Sequence, residues 1–463
     1  MTRTASLLRK GINPILPMIL SWPFYAWGGE PVMEAWVSLF RGPGDGFDAA
    51  CDIEIDRLGN VHLVGDSWSD GSGYDIVTIK YDSSGEEQWV AVFNGPANDN
   101  DRASAIALDE SGNVFVTGFS IGEDAVSECV TICYSPSGEP RWQSRYGGMV
   151  DGGEQGLDVA VDRAGNVFVA VTENSGFATV KYDSTGVEQW SRSFGEPGSS
   201  SGSACAIALD AAGSALVTGH ISYNGSDFDI VTLKYSRHGE LFWVAPYDGP
   251  GEGEDTATAI GVDSDGNAYV TGRSMGVTSG MDIVTVRYDC CTGEEVWVNR
   301  FNGPGNENDG GTDLAVDDRA GTVYVTGYSG PIPDYTTISY SLTGEPGWEA
   351  FYHHLDRLSD IASEVSLDHH GNVCVTGTSA GDNGDFCGDY ATVMYDATGV
   401  QRWVARYSSP GSADDHATAI ATDSFGNVYV TGYVNGFRHA DVATIKYETT
   451  RTEDEQEATS NLN

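Results

Sequence analysis

The sequence predicts an all-β protein: a β-propeller of eight four-stranded blades, with an N-terminal strand completing the last blade. Tryptophans recur at Trp36, Trp89, Trp142, Trp190, Trp243, Trp297, Trp348 and Trp403, at intervals of 48 to 55 residues. Each is followed four positions later by an aromatic: Phe40, Phe93, Tyr146, Phe194, Tyr247, Phe301, Tyr352 and Tyr407. Short β-rich segments fill the intervals, and a fixed period of this size marks a propeller. Each repeat needs a neighbour to cover its apolar faces. The eight copies therefore form one closed domain, where 463 residues alone would imply two or three.

The elements follow in order. Arg3, Arg9 and Lys10 precede an apolar stretch over 12–27, with Gly28 and Gly29 after it. Residues 1–28 thus read as a secretory signal peptide, interrupted by Pro14, Pro17 and Pro23. The expected location is extracytoplasmic (secreted, periplasmic or cell surface), where disulfides are permitted. No other segment approaches the length of a membrane span.

The propeller is expected over 34–447. In the first strand of each repeat, apolar residues alternate with small ones, as Ile106 and Leu108 do with Ala105 and Ala107. Small residues suit a strand crowded near the propeller axis. Gly-Asn pairs such as Gly59-Asn60 and Gly112-Asn113 open the second strand, read as hairpin residues that tolerate positive φ. The third strand, such as DIVTIKY at 75–81, ends in tyrosine in every copy. A glycine four residues before each later tryptophan, such as Gly85 or Gly186, marks the turn into the fourth. The first tryptophan strand lacks preceding partners, and the last repeat lacks a tryptophan strand. Pairing the two closes the ring and removes the exposed edges. Residues 449–463 are polar without apolar periodicity, the composition of a disordered tail.

Composition bounds the partners. Lys and Arg number 24 against 68 Asp and Glu, a formal charge of -44. Such a surface repels nucleic acids and anionic membranes, and favours divalent cations or basic partners. The eight cysteines form no regular framework and show no zinc spacing. Cys374 and Cys387 flank one hairpin and are the candidate bridge. In the vicinal pair Cys290-Cys291, the second cysteine is a one-residue insertion in an outer turn.

The segments GNVYVTG at 426–432, DIVTIKYDSSGEEQW at 75–89 and FNGPGNEND at 301–309 resemble the bacterial and archaeal extracytoplasmic β-propeller repeat family known as SBBP repeats. That resemblance covers 34–447 and implies a secreted or surface propeller. It supplies no agreed reaction, and its name implies seven blades where this chain has eight copies. Asp183, Gly186 and Trp190 also resemble, with a turn one residue shorter, the tryptophan-docking motif of eight-bladed quinoprotein propellers.

Candidate chemistry centres on the loops. Eight residues before the aspartate that ends each first strand stand Asp48, Asp101, Glu154, Asp255, Asp309, Asp360 and Asp415, with Gly202 in the fourth repeat. Propeller geometry places them on the face shared by the strand two-to-three and four-to-one loops. They either ring the channel mouth as a weak cation site, Ca2+ being the candidate ion, or accept hydrogen bonds from their own loop amides. The seventh repeat departs most from the average, with His353-His354, His369-His370 and a longer loop over 379–388, and is the first place to look for a binding surface. Trp68 is assigned to a two-to-three loop, exposed and placed to face a ligand. The recurring tryptophans are assigned to packing between blades. No Ser/His/Asp arrangement, phosphate loop or nucleophile elbow is present. Two functions remain. One is a monomeric, non-enzymatic binding or adhesion platform for an extracellular protein or carbohydrate, with its ligand on the face carrying the acidic loops. The other is a quinone- or metal-dependent enzyme at the channel mouth.

Overall fold

The computed structural model describes residues 32–449 apart from 148–152, 196–199, 355–357, 382–386, 411–413 and 436–439. The segment expected as a signal peptide, and the expected tail beyond Thr449, lie outside the described residues. The repeats form eight four-stranded antiparallel sheets, here blades 1 to 8, with strands a to d running outward from the axis. Blade 1 consists of Ala49–Ile55, Val61–Ser69, Gly73–Tyr81 and Glu87–Phe93. Blades 2 to 7 repeat this arrangement from Asp101, Gln155, Ser200, Asp255, Gly310 and Ile361.

Blade 8 is composite, as the sequence predicts. Its strands a to c are Asp415–Thr422, Val428–Asn435 and Ala440–Thr449, and its strand d is Val32–Phe40 from the other end of the chain. The junction is antiparallel, with Val37 opposite Ile445 and Phe40 opposite Val442. Strand a of each blade packs on strand a of the next, and Asp415–Thr422 packs on Ala49–Ile55 to close the ring.

Trp, Gly and Tyr, read separately in the sequence, prove to be parts of one device. In seven of the eight blades the Trp of strand d donates its indole Nε1–H to a carbonyl in the c–d turn of the following blade; Trp403 of blade 7, which faces the composite blade, packs on Tyr447 without that bond. The pairs include Trp36 with Ser83, Trp142 with Ser184, Trp190 with Arg237 and Trp348 with Ala397, at 3.0–3.2 Å. The turn glycine carries no side chain because the indole occupies that space. A Cβ on Gly186 would lie 2.5 Å from Trp142, and one on Gly239 would lie 2.7 Å from Trp190. Both glycines also hold φ near +80°, a conformation costly for any residue with a Cβ. The strand-c tyrosine of that next blade closes the contact: Trp142 tilts on Tyr182 at 6.2 Å and Trp190 on Tyr235 at 5.9 Å.

Two local readings are corrected. In the a–b hairpins the glycine has positive φ but the asparagine does not. Asn60 instead donates its side-chain amide to Asp56 at 2.7 Å, and Asn113 does the same to Asp109. Strand a is also not a plain alternation. A β-bulge interrupts it in every blade, between Ala50 and Asp52 in blade 1 and between Ala103 and Ala105 in blade 2. A bulge bends a strand and re-aims the side chains after it.

Two expectations follow. Trp190 is only 7% exposed, so Trp190→Ala should cost roughly 3–5 kcal/mol in chemical denaturation, as for other buried large aromatics. Deleting residues 1–41 bares the edge of Ala440–Thr449 and should give concentration-dependent aggregation by light scattering, whereas deleting 1–28 should leave a monomer.

Candidate functional site

The acidic residues of the rim do share one face, but they turn into the loops and away from the channel mouth. Asp48, Asp101, Glu154, Asp255, Asp309, Asp360 and Asp415 are all buried, none more than 2% exposed. One carboxylate oxygen accepts the amide six residues upstream, in the crossover from the preceding blade: Gly42 for Asp48 and Gly249 for Asp255 at 2.6 Å, His354 for Asp360 at 2.9 Å. In four of them the other oxygen accepts from the end of strand b of its own blade or the residue just after it: Trp68 for Asp48, Gly330 for Asp309, Ala380 for Asp360 and Asn435 for Asp415. The backbone N–H of the same residue bonds to the previous blade's b–c segment, as Asp255 does to Phe228 and Asp309 to Met281. Asp48, Asp309 and Asp360 thus each tie three segments together, whereas one buried carboxylate oxygen of Asp101 and of Asp255 has no hydrogen-bond partner. Burial raises the pKa of Asp101, Asp255, Asp309 and Asp415, and the loop amides offset part of that cost.

Asp255 alone of this series belongs to a group of three carboxylates within 4.8 Å of one another, with Asp229 and Asp248. The repeat shows why. In three other blades an arginine three residues after the tryptophan neutralises the acid that corresponds to Asp229. The pairs are Arg145–Glu128, Arg300–Asp282 and Arg406–Asp389, at 2.7–2.9 Å. In blade 4 that position is Pro246. Burial, then the charges of Asp248, Asp255 and Asp227, raises the pKa of Asp229.

Two further assignments change. Trp68 is not an exposed loop residue: it lies within strand b of blade 1, half-buried, edge-on to Tyr74 at 5.0 Å. The crossover covers it so closely that a Cβ on Gly46 would lie 2.1 Å from its side chain. Cys374 and Cys387 are not bridged. Cys374 lies opposite Met394, whereas Cys387 adjoins Gly388, which lies opposite Ala380 at the far end of the hairpin. That offset of six residues is on the order of 20 Å, beyond the reach of a disulfide. His353 and His354 lie in the crossover before strand a of blade 7, and His369 and His370 follow that strand, so the two pairs stand on opposite faces.

A second set of carboxylates sits on the axis. Asp52, Asp158, Asp313 and Glu364 follow the bulge of strand a in blades 1, 3, 6 and 7, where the other four blades carry Ala105, Ala206, Ala259 and Ala419. Glu54 follows on the same face of blade 1, two residues after Asp52. Each of the four accepts the amide of the next blade's strand a: Ile106 to Asp52, Ile207 to Asp158, Val365 to Asp313 and Ile420 to Glu364, at 2.6–3.0 Å. Their charges act on one another between non-adjacent blades, Asp52 on Glu364 and Asp158 on Glu54. Among the described strands a the one Lys or Arg is Arg102, which pairs with Asp66 at 2.9 Å. Burial pushes Glu54 up to about 7 and Asp158 and Asp313 up to about 6, the charge of Asp158 adding to the rise of Glu54 and Asp313. The sequence signal was a break in the repeat, an acid where the other copies place alanine.

A cavity lies on the face of the acidic loops, where blades 6, 7 and 8 meet. It encloses about 730 Å³. Ile332, Leu358, Ile361 and Ala380 give it an apolar lining, and Asp414 and His416 give it a polar side. Ile332 and Ile361 are exposed, at 38% and 41%. His416 is fixed by Thr378 Oγ1 at 2.9 Å and by stacking on Tyr433 at 4.8 Å. Burial lowers its pKa, which favours a neutral ring. Blade 7 contributes to this cavity through Ser359, Ile361 and Thr378, while His353 and His354 are outside its lining.

Comparison with known proteins places these features in context. The SBBP beta-propeller repeat model matches residues 251–276 and 403–437. No curated protein matches the sequence. Among solved structures, the chain is similar to Chaetomium thermophilum Sqt1 bound to the N-terminus of the ribosomal protein L10, with TM-score 0.58 and 10% identity over 89% of this chain and 98% of that one. It is also similar to BamB from Moraxella catarrhalis, with TM-score 0.48 and 16% identity over 91% and 99% of the two chains. A third similar structure is the dihydro-heme d1 dehydrogenase NirN in complex with DHE, with TM-score 0.48 and 10% identity over 79% and 75%.

Two measurements test the electrostatic assignments. The folded-state pKa of Glu54 is raised from 4.5 to about 7. The native state therefore holds a proton that the unfolded chain releases between those values, and stability falls as pH rises through that window. Glu54→Gln should then stabilise the protein by ~1–3 kcal/mol at pH 8, with the gain vanishing near pH 4.5. A gain independent of pH would remove Glu54 from the axial set. Pro246→Arg, which restores the missing partner of Asp229, should raise stability by ~1 kcal/mol in chemical denaturation.

Proposed function

We propose that this chain, an eight-bladed β-propeller that carries SBBP repeats, is an extracytoplasmic, non-enzymatic binding platform. Its ligand is a polypeptide segment that places apolar side chains beside a lysine or arginine. The observation that carries this reading is the cleft between blades 6, 7 and 8, where the apolar side chains of Ile332, Leu358 and Ile361 stand beside the carboxylate of Asp414. Exposed apolar groups gathered in a concave site, with a few polar groups to orient the ligand, are the ordinary form of a recognition pocket.

Charge supports the choice of ligand. A formal charge of -44 attracts a basic segment over distance, and the apolar lining then holds it. The similar Sqt1 propeller was solved bound to the N-terminus of the ribosomal protein L10, an example of a polypeptide ligand on this fold. The extracytoplasmic location rests on the apolar stretch at 12–27 after Arg3, Arg9 and Lys10, and on the resemblance to secreted SBBP propellers.

The test is selection of peptides from a random display library on the purified protein. Peptides combining apolar residues with Lys or Arg should be enriched, and their affinity should fall with added salt. Ile361→Asp should weaken them at least tenfold. Arg319→Ala, on the opposite face, should leave them unchanged. Equal binding by the wild type and Ile361→Asp would exclude the cleft.

A further inference from the structure

The cysteines divide into two kinds. Cys51, Cys129, Cys133, Cys205 and Cys374 lie in strands, and burial raises their thiol pKa values, to about 12 for Cys129, Cys133 and Cys205. Thiols held protonated in this way are poor nucleophiles. Cys290 and Cys291 differ from them. They occupy the c–d turn of blade 5, their Sγ atoms are 3.0 Å apart, and Cys291 is exposed. The turn is one residue longer than its counterparts: Gly293 N–H bonds back to Asp289, four residues away, whereas Gly85 bonds to Asp82, three away.

The peptide bond between these two cysteines is not an ordinary surface peptide. The carbonyl of Cys290 accepts the indole N–H of Trp243 at 3.2 Å and Lys234 Nζ at 3.0 Å, both from blade 4. It is the blade 4–5 copy of the contact that joins the blades around the ring. The amide of Cys291 donates to Asp289 Oδ1 at 3.0 Å, and that of Cys290 to Asn267 Oδ1 at 3.0 Å. Lys234 is itself paired with Asp210 at 3.0 Å.

We propose that Cys290 and Cys291 are a reversible modification site, closing to a disulfide between adjacent residues, and that closure loosens the seam between blades 4 and 5. The oxidant is a small-molecule disulfide. The Cys291 thiolate attacks one of its sulfurs, the S–S bond of the oxidant breaks, and one small thiol leaves. The Cys290 thiolate then attacks Sγ of Cys291, forming the Sγ–Sγ bond and releasing the second small thiol. The pair loses two electrons and the oxidant gains them. The two cysteine protons end on the two released thiols.

The order follows from the surroundings. Cys291 is the accessible thiol, and hydrogen bonding with it is the main cause that pushes Cys290 up to about 11, so Cys290 acts second. Adjacent Cα atoms stand ~3.8 Å apart across a trans peptide, closer than disulfides prefer. The closed form is therefore strained and easily reduced, which makes the change reversible. The new ring contains the 290–291 peptide bond. Rotating that bond to relieve the strain moves the carbonyl away from Trp243 and Lys234.

The experiment uses the full chain incubated in oxidised or reduced glutathione, then alkylated under native conditions and mapped by peptide mass spectrometry. Oxidation should leave the 290–291 peptide two hydrogens lighter and unalkylated, and dithiothreitol should restore both thiols. The oxidised wild type should melt at a lower temperature, with a changed tryptophan emission. Cys291→Ser and Cys290→Ser should show neither change under the same treatment. Alkylation of both residues after oxidation, or a glutathione adduct that persists on Cys291, would overturn the site. Closure with unaltered melting and emission would overturn its coupling to the seam.

Discussion

The fold depends on one contact repeated at seven of the eight seams: an indole N–H of one blade on a turn carbonyl of the next. A propeller blade has little to hold it but its neighbours, since strand hydrogen bonds run within a sheet and the seams are mostly apolar packing. Apolar packing alone is non-directional and would tolerate sliding of one blade on another. The Trp–carbonyl bond adds direction. It fixes which turn meets which strand d, and the glycine that makes room for the indole excludes other registers. At the blade 8–1 seam the same contact joins Trp36 to Ser83, so the N-terminal strand is locked both by pairing within blade 8 and by docking onto blade 1.

With the seams fixed from outside, the axis can hold groups that oppose closure. Asp52, Glu54, Asp158, Asp313 and Glu364 are brought together among strands that carry almost no basic side chain. Each strand-to-strand amide bond that four of them accept offsets part of that cost and ties one blade to the next. The same division holds on the rim. Asp48, Asp309 and Asp360 there join three segments each, and amides that would otherwise lack partners offset part of the desolvation cost. Acidic side chains are thus used as staples at two radii, and the large negative charge of the sequence is partly a structural requirement.

What was legible in the sequence is what every repeat shares. Trp190, Gly186 and Tyr182 recur with their counterparts, so blade number, strand order and closure by Val32–Phe40 could be read from spacing alone. The bulge in strand a could not, because the residues on either side keep an apolar-and-small composition and the inserted position varies, as with Cys51, Ser104 and Thr258. Missing the bulge hid the fact that Asp52 and Asp158 share a direction. Trp68 was misread because its cover, Gly44 and Gly46 of the preceding crossover, is distant in the chain's secondary structure but adjacent in space. The rim aspartates were placed on the correct face. Which way they turn was decided by amides that a sequence does not display.

Specific binding in a ring of similar units has to come from the positions where the units differ, because eight equal copies present eight equal surfaces. Blade 7 is where the difference is concentrated. Its crossover carries Leu358 and Ile361, its b–c segment is extended, and blade 8 supplies Asp414 and His416 to the same hollow. The apolar side chains there stay exposed, Ile332 at 38% and Ile361 at 41%. Water is displaced from them only when something else covers them, and the acidic surround selects for a cationic occupant. On the proposed reading, the regular part of the chain builds the platform and its least regular blade holds the ligand.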